Sequence, residues 1–228
     1  MSDNRVPVIT VDGPSGVGKG TISHLLADHF GWHFLDSGAL YRLTALAAQH
    51  HTIDFADEAA VAEIAAGLDV SFLHTDAGEL KITLENQDVT DDIRTEVAGN
   101  NASKVAVLPA VRAALLQRQR DFAQAPGLIA DGRDMGTTVF QQANVKLFLT
   151  ASAEVRAQRR YKQLKDKGLD ANLSGLIEEI RQRDERDRTR SASPLKPADD
   201  AVTLDTSNKS IEVVFAEALS HCAVVERR

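Results

Sequence analysis

Val6-Pro7-Val8-Ile9-Thr10-Val11-Asp12-Gly13-Pro14-Ser15-Gly16-Val17-Gly18-Lys19-Gly20-Thr21 is the stretch on which the fold turns. A β-branched apolar run ends at Asp12-Gly13-Pro14, so it reads as a buried strand entering a tight loop. The loop has the form G-x-x-x-x-G-K, followed by Gly20 and Thr21, and apolar residues three or four apart then mark a helix over 19–30. Glycines let the backbone curl until several N–H groups face one point. The helix start adds positive potential there, and Lys19 adds a point charge. Each component favours a polyphosphate, so Gly13, Pro14, Ser15, Gly16, Val17, Gly18, Lys19, Gly20 and Thr21 are candidate ATP-binding residues. Gly20 stands directly after the lysine and displaces the hydroxyl to Thr21, which is the candidate Mg2+ ligand, directly or through water.

Other readings of the same loop fail on spacing. A dinucleotide-binding G-x-G-x-x-G begun at Gly16 would need glycine at Thr21, and Ser15 lacks the glycine two residues on that a nucleophile elbow requires.

Working outward, four more short apolar runs precede polar loops: His33 to Leu35, Leu128 to Ala130, Val145 to Leu149, and Val202 to Leu204. Helical periodicity lies between them over 38–50, 57–67, 109–124, 152–167, 172–190 and 208–225. The alternation predicts an α/β fold with a five-stranded parallel sheet and helices on both faces. From 68 to 94 the pattern changes to alternating runs around Thr75-Asp76-Ala77-Gly78 and Glu85-Asn86-Gln87-Asp88, the mark of a small antiparallel β insert. The expected organisation is one domain over 1–228 carrying that insert.

The 228 residues, 43% hydrophobic and 26% charged, suit a globular chain with a sizeable core. No window approaches the length of an apolar membrane span, and Val6 to Val11 is too short for an export signal. A single cysteine, Cys222, permits no intrachain disulfide, so a reducing cytoplasm is the expected location. The formal net charge of -7 argues against a nucleic-acid polymer as partner. Small-molecule phosphates are the expected partners, with neither membrane nor polymer, and a monomer is the expected state.

Two loops after predicted strands carry the remaining chemistry, Asp36-Ser37-Gly38-Ala39-Leu40-Tyr41-Arg42 and Asp131-Gly132-Arg133-Asp134-Met135-Gly136. In an open parallel sheet the carboxyl ends of the strands share one crevice, so these loops are expected to face the phosphate loop. Near the other end, Arg183, Asp187 and Arg190 fall at i, i+4 and i+7, on one helical face able to read a ribose hydroxyl and a phosphate. Arg156, Arg159 and Arg160 share a face ahead of Asp166-Lys167-Gly168. They suggest a short lid over 156–170 that would neutralise a transferring phosphoryl group and exclude water. Lys19, Arg133, Arg156 and Arg159 are the candidate catalytic residues, with Arg156 and Arg160 also on the ATP side.

The glycine-rich loop over 13–21, the Asp36–Arg42 and Asp131–Gly136 segments and the late charged helix around Arg183–Arg190, in this order and over nearly the whole chain, resemble the bacterial cytidylate kinases. The resemblance implies a nucleoside monophosphate kinase that transfers the γ-phosphoryl group of ATP to CMP or dCMP with Mg2+. It further implies that Ser37, Tyr41 and Arg42 line the acceptor site, with Arg42, Arg133 and Arg183 around its phosphate and Asp131 nearby. Ser103, Arg112 and Asp134 match the positions that hold cytosine, and Asp187, with Arg190 beside it, matches the ribose contact. The 68–94 insert matches the acceptor-side addition of the bacterial enzymes. Two other expectations compete: a P-loop kinase for another small metabolite, and a nucleotide-binding regulator that does not turn ATP over.

Overall fold

In chain order the elements are β1 (Val8–Asp12), α1 (Lys19–Phe30), β2 (His33–Asp36), α2 (Ser37–His50), α3 (Glu58–Ala66), β3 (Val70–His74), β4 (Leu80–Leu84) and β5 (Gln87–Asp88). They continue with α4 (Glu96–Val105), α5 (Pro109–Arg120), β6 (Leu128–Gly132), β7 (Val145–Thr150), α6 (Ala153–Asp166), α7 (Leu173–Thr189), β8 (Val202–Asp205), α8 (Ile211–Ser220) and α9 (Ala223–Glu226). The computed structural model describes residues 5–74 and 80–226. Contacts within the chain divide it into two compact units, one running to Asp36 and resuming at Gln119, the other spanning Ser37–Arg118.

The first unit holds the expected five-stranded parallel sheet, in the order β2-β6-β1-β7-β8. β1 lies at its centre, with Asp12 opposite Gly132 on β6 and Val11 opposite Leu147 on β7. Every residue of β1 and β6 is buried, in keeping with the mainly apolar starts of both strands, Val8-Ile9-Thr10-Val11 and Leu128-Ile129-Ala130. Ile9, Val11, Leu26, Ile129, Leu147, Leu149, Leu204 and Val214 form one core between sheet and helices. Each such side chain contributes about 1.5–3 kcal/mol on full burial. Cys222 belongs to that core, and its thiol faces the Ala218 carbonyl at 3.3 Å. Trp32 packs on Phe30, with ring centroids 4.9 Å apart.

α1 differs from its neighbours at its start. Ser152 caps α6, Asn172 caps α7 and Ser210 caps α8 by accepting backbone N–H groups. α1 instead follows Gly18 in a left-handed conformation with no side-chain cap. Its first N–H groups are left for an external acceptor.

The second unit is wider than the insert expected at 68–94, because it also contains α2, α3, α4 and most of α5. Its sheet is the antiparallel meander β3-β4-β5, in which Val70 faces Leu84 and Thr83 faces Asp88. Glu85 and Asn86 both have positive φ, as a two-residue hairpin turn of this hand needs. The turn expected at Thr75–Gly78 lies outside the described residues.

Three helix boundaries depart from the sequence reading. α4 is an additional helix: Glu96-Val97-Ala98-Gly99-Asn100-Asn101 has weak intrinsic helix propensity, but the Thr95 hydroxyl caps Ala98 N–H, and Gly99, Asn101, Ala102, Ser103 and Val105 are buried. α5 ends at Arg120, and the chain leaves it through turns in which Phe122 N–H bonds Gln119 O and Ala123 N–H bonds Arg120 O. The expected final helix is two, α8 and α9, separated by a turn in which Cys222 N–H bonds Leu219 O.

Candidate active site

The phosphate loop leaves β1 at Gly13, whose φ of 146° and position against Leu149 permit no side chain: a Cβ there would lie 2.2 Å from Leu149 O. Lys19 opens α1 and is buried, donating from Nζ to Pro14 O at 3.0 Å and lying 3.8 Å from Asp131 Oδ1. Burial, then the nearby Arg133 charge, pushes its ammonium group down to about 7. Asp131 does not fully offset this burial, so an incoming anion would further stabilise the ammonium form.

The expected carboxyl-end residues of this unit gather on the loop. Arg133 Nε donates to Asp187 Oδ2 at 3.0 Å, and Arg183 Nη1 donates to Ser15 Oγ at 3.2 Å. Burial works against the Arg133 charge, but Asp187 and Asp131 outweigh it and hold the group above its usual range. Burial likewise raises the Asp187 carboxyl, but Arg133, Arg183 and Arg190 overcome it and leave it below the usual range. Arg190, at the end of α7, lies 3.6 Å from Asp134 Oδ1, and both side chains are buried.

Asp134 precedes a π-helical turn, Met135–Val139, and the start of that turn is gripped by Asp12. Asp12 Oδ1 accepts Met135 N–H and Oδ2 accepts Gly136 N–H, each at 2.8 Å. Burial, opposed by those two bonds and aided by Asp134 and Asp131, raises the Asp12 carboxyl to about 7.

On α6, Arg156 is buried and pairs through both Nη atoms with the Asp184 carboxylate, while Nη1 also donates to Ser15 O at 3.0 Å. Arg159 donates from Nη1 to Thr206 Oγ1 at 3.1 Å and from Nη2 to Thr206 O. Arg160 is half-buried, with Nη1 3.4 Å from Gln163 Oε1. Beyond it, residues 165–170 are exposed, and the helix ends in a turn at Lys167-Gly168.

In the second unit, Ser37 and Tyr41 are buried on α2, Ser103 on α4, and Arg112 on α5. The Arg112 guanidinium stands 5.6 Å from the Tyr41 ring centroid, and Nη1 donates to Ala106 O at 3.3 Å. Arg42 is half-buried, and its Nε is sequestered with no hydrogen-bond acceptor among the described residues. A buried guanidinium N–H in that condition suits an anion that arrives with a ligand.

For a divalent cation, among the described residues no group of three His, Cys, Asp or Glu side chains is arranged to hold a metal ion. Thr21 is exposed on α1, while a Cβ at Gly20 would lie 3.7 Å from Asp131 Oδ2. The donors present suit an ion that is bound mainly by phosphate and water. Sequence reasoning missed Asp12, Asp184 and Thr206, because each acts on backbone groups or on another side chain brought close only by folding. A carboxylate ending an otherwise apolar buried strand was the one available signal, for Asp12.

The sequence model of the family described as cytidylate kinase matches residues 9–223. A cytidylate kinase of Shewanella denitrificans is 61% identical over 218 residues, covering 95% of this chain and 96% of that protein. One of Shewanella frigidimarina is also 61% identical over 218 residues, covering 95% of each. One of Aeromonas hydrophila is 59% identical over 215 residues, covering 94% of this chain and 93% of its own. Among the described residues no helix is long and apolar enough to cross a membrane.

Proposed function

The chain belongs to the cytidylate kinase family, and on that premise we propose that it transfers the γ-phosphoryl group of ATP to CMP or dCMP, giving ADP and CDP or dCDP. The observation that carries this reading is the convergence on one phosphate loop of Lys19, Arg133 and Arg183, with Arg183 bonded to Ser15 and the Arg133 charge felt at Lys19.

Gly13 to Thr21 bind ATP, and Lys19, with the loop N–H groups, stabilises charge on the outer phosphates. Arg133 and Arg183 draw on the acceptor phosphate and the transferring group. The acceptor oxygen is already anionic, so no side chain is needed as a general base. Thr21 and Asp131 are the residues that would hold Mg2+, through water, and the ion would supply charge neutralisation for the phosphoryl groups. Arg160 and the exposed stretch after it act as the 156–170 lid, while Arg156 and Arg159, expected to act directly on the phosphates, serve at its root, because Asp184 and Ser15 O hold the one guanidinium and Thr206 the other.

For CMP we assign Ser37, Tyr41, Arg42, Ser103, Arg112, Asp131, Arg133, Asp134, Arg183, Asp187 and Arg190. An ionised Asp134 beside Arg190 accepts from the exocyclic amine of cytosine and repels the carbonyl that uracil presents instead. Asp187, held ionised by three arginines, is suited to a ribose hydroxyl. The enzyme works as a monomer on free nucleotides of the cytoplasm, in pyrimidine nucleotide metabolism; the acidic net charge and the buried, lone Cys222 support that setting.

The test is ADP formation measured in a coupled assay with CMP, dCMP, UMP and AMP as acceptors. CMP and dCMP should be preferred. A clear preference for UMP or AMP overturns the substrate assignment.

A further inference from the structure

Two carbonyl oxygens of the phosphate loop are bonded from outside the loop. Ser15 O takes Arg156 Nη1 at 3.0 Å, and Val17 O takes Thr206 Oγ1, also at 3.0 Å. Neither donor is free to drift. Arg156 is locked by the Asp184 carboxylate and by Nε bonds to Ala151 O and Ser152 O. Thr206 is buried at the end of β8, its N–H bonded to Thr150 O at 2.9 Å and its hydroxyl accepting from Arg159 at 3.1 Å.

Across a trans peptide the carbonyl and the following N–H point in opposite directions. Securing Ser15 O and Val17 O on one side therefore turns Gly16 N–H and Gly18 N–H to the other. Gly16 and Gly18 are exposed, whereas Val17 between them is buried, consistent with amides presented outward. Both glycines have positive φ, 78° and 95°, a region that glycine enters and leaves at little cost. The loop backbone alone thus sets the aim of these two amides only weakly, and side chains outside it must do so.

We propose that Thr206, and in parallel Asp184 through Arg156, are positioning residues that hold the Val17–Gly18 and Ser15–Gly16 peptides with their N–H groups aimed at the nucleotide phosphates. Neither residue touches the nucleotide; each acts through a carbonyl on the far side of the peptide. Arg159 completes the device by orienting the Thr206 hydroxyl so that its proton faces Val17 O. The inference rests on the loop being the ATP site but is independent of the acceptor.

The experiment compares full-length wild type with Thr206→Val, Thr206→Ser and Asp184→Asn. It measures ADP affinity by calorimetry, KM for ATP and CMP, and the 1H–15N displacement of the Gly16 and Gly18 amides on adding ADP. Thr206→Val keeps the side-chain shape and removes the hydroxyl. It should weaken ADP and raise KM for ATP by about 5- to 10-fold, the size of one lost hydrogen bond. It should leave KM for CMP in place and reduce the ADP-induced shift of Gly18 more than that of Gly16. Thr206→Ser should restore both. Asp184→Asn should reverse the pattern, with Gly16 more affected than Gly18, and it decides the matter if Thr206→Val does not fold. Wild-type ADP affinity with unaltered amide shifts in Thr206→Val, or equal loss at both amides without rescue by serine, overturns the proposal. If wild type binds ADP with this pattern yet does not phosphorylate CMP, the substrate reading fails and the positioning role stands.

Discussion

Asp12 Oδ2 accepts the N–H of Gly136 at 2.8 Å, tying the last residue of the central strand to the turn that begins just after Asp134. With Met135 N–H on the other oxygen, the carboxylate links the strand that launches the phosphate loop to the backbone that carries the residue assigned to cytosine. Asp12→Ala would leave two buried N–H groups without acceptors, at a cost of about 1–3 kcal/mol each. At about pH 4, where the burial cost of its charge is not yet felt, we expect a fall of about 2–4 kcal/mol in urea unfolding, and at neutral pH a weakened preference for CMP over UMP. An unchanged urea midpoint would show that water or another acceptor replaces the carboxylate.

The same residue has a defined pH signature. Its carboxyl titrates at about 7 in the fold against an ordinary 3.8, because burial disfavours the charge. Between those values the folded state keeps a proton that the unfolded chain has lost, so Asp12 costs stability increasingly as pH rises from about 4 to about 7. Lys19 has the opposite slope. Burial and Arg133 lower it from 10.5 to about 7, so its cost is full below 7 and is relieved as pH rises toward 10.5. Chemical denaturation of Lys19→Met across pH 7–10 should show a variant more stable than wild type at pH 7, with the gap closing as pH rises. A gap independent of pH would place the lysine's ordinary titration intact in the fold.

Binding should reverse that depression. A polyphosphate beside Lys19 favours the ammonium form, so ADP binding at pH 8 should draw in a proton. Calorimetry in buffers of different ionisation enthalpy would reveal proton uptake in wild type and its loss in Lys19→Met. The same substitution should lower turnover by about 10²–10³ with any acceptor, the usual effect of removing a preorganised charge donor. Equal proton uptake by variant and wild type would assign the titration to another group.

How much of this was legible beforehand follows from what holds each element. The parallel strands were readable because short apolar runs such as β-branched Val8 to Val11 and Leu128 to Ala130 end at polar loops and are buried throughout, and α1 because Gly18 and Gly31 bound it. α4 was not, since Gly99, Asn100 and Asn101 argue against a helix locally and only burial of one face makes it. Arg133, Arg183, Asp187 and Arg190 stood out by charge and spacing. The partners that fix their surroundings did not: Asp184 reads as one more charge in a charged helix until Arg156 arrives from 28 residues away. Thr206 meets Val17 across 189 residues, a separation at which residue type carries no signal.

Selectivity gives a separate prediction. Asp134 is buried, with Arg190 3.6 Å from its Oδ1, so its substitution should act on base choice more than on the phosphoryl step. In Asp134→Ala the ratio of kcat/KM for CMP to that for UMP should fall by about 10-fold or more, as one hydrogen bond to a charged group is worth about 1.5–3 kcal/mol. ADP affinity should stay near wild type. Unchanged selectivity removes Asp134 from the base site.

Two glycines of the phosphate loop separate strain from collision. At Gly18 a Cβ would meet nothing within 4 Å among the described residues, so Gly18→Ala suffers only from its φ of 95°. That left-handed placement costs an alanine about 1–2 kcal/mol. At Gly13 the φ of 146° is compounded by Leu149 O at 2.2 Å from the added Cβ, and that oxygen belongs to the backbone of β7. It cannot swing aside as a flexible side chain would, so relief requires moving the loop root away from the sheet. Gly13→Ala should therefore lose about 3 kcal/mol or more, the range reached by overpacking added to backbone strain. Gly18→Ala should fold at a modest cost and fail mainly in nucleotide affinity. Thermal unfolding of the two variants side by side distinguishes them, and equal losses would mean that the loop root shifts freely against Leu149.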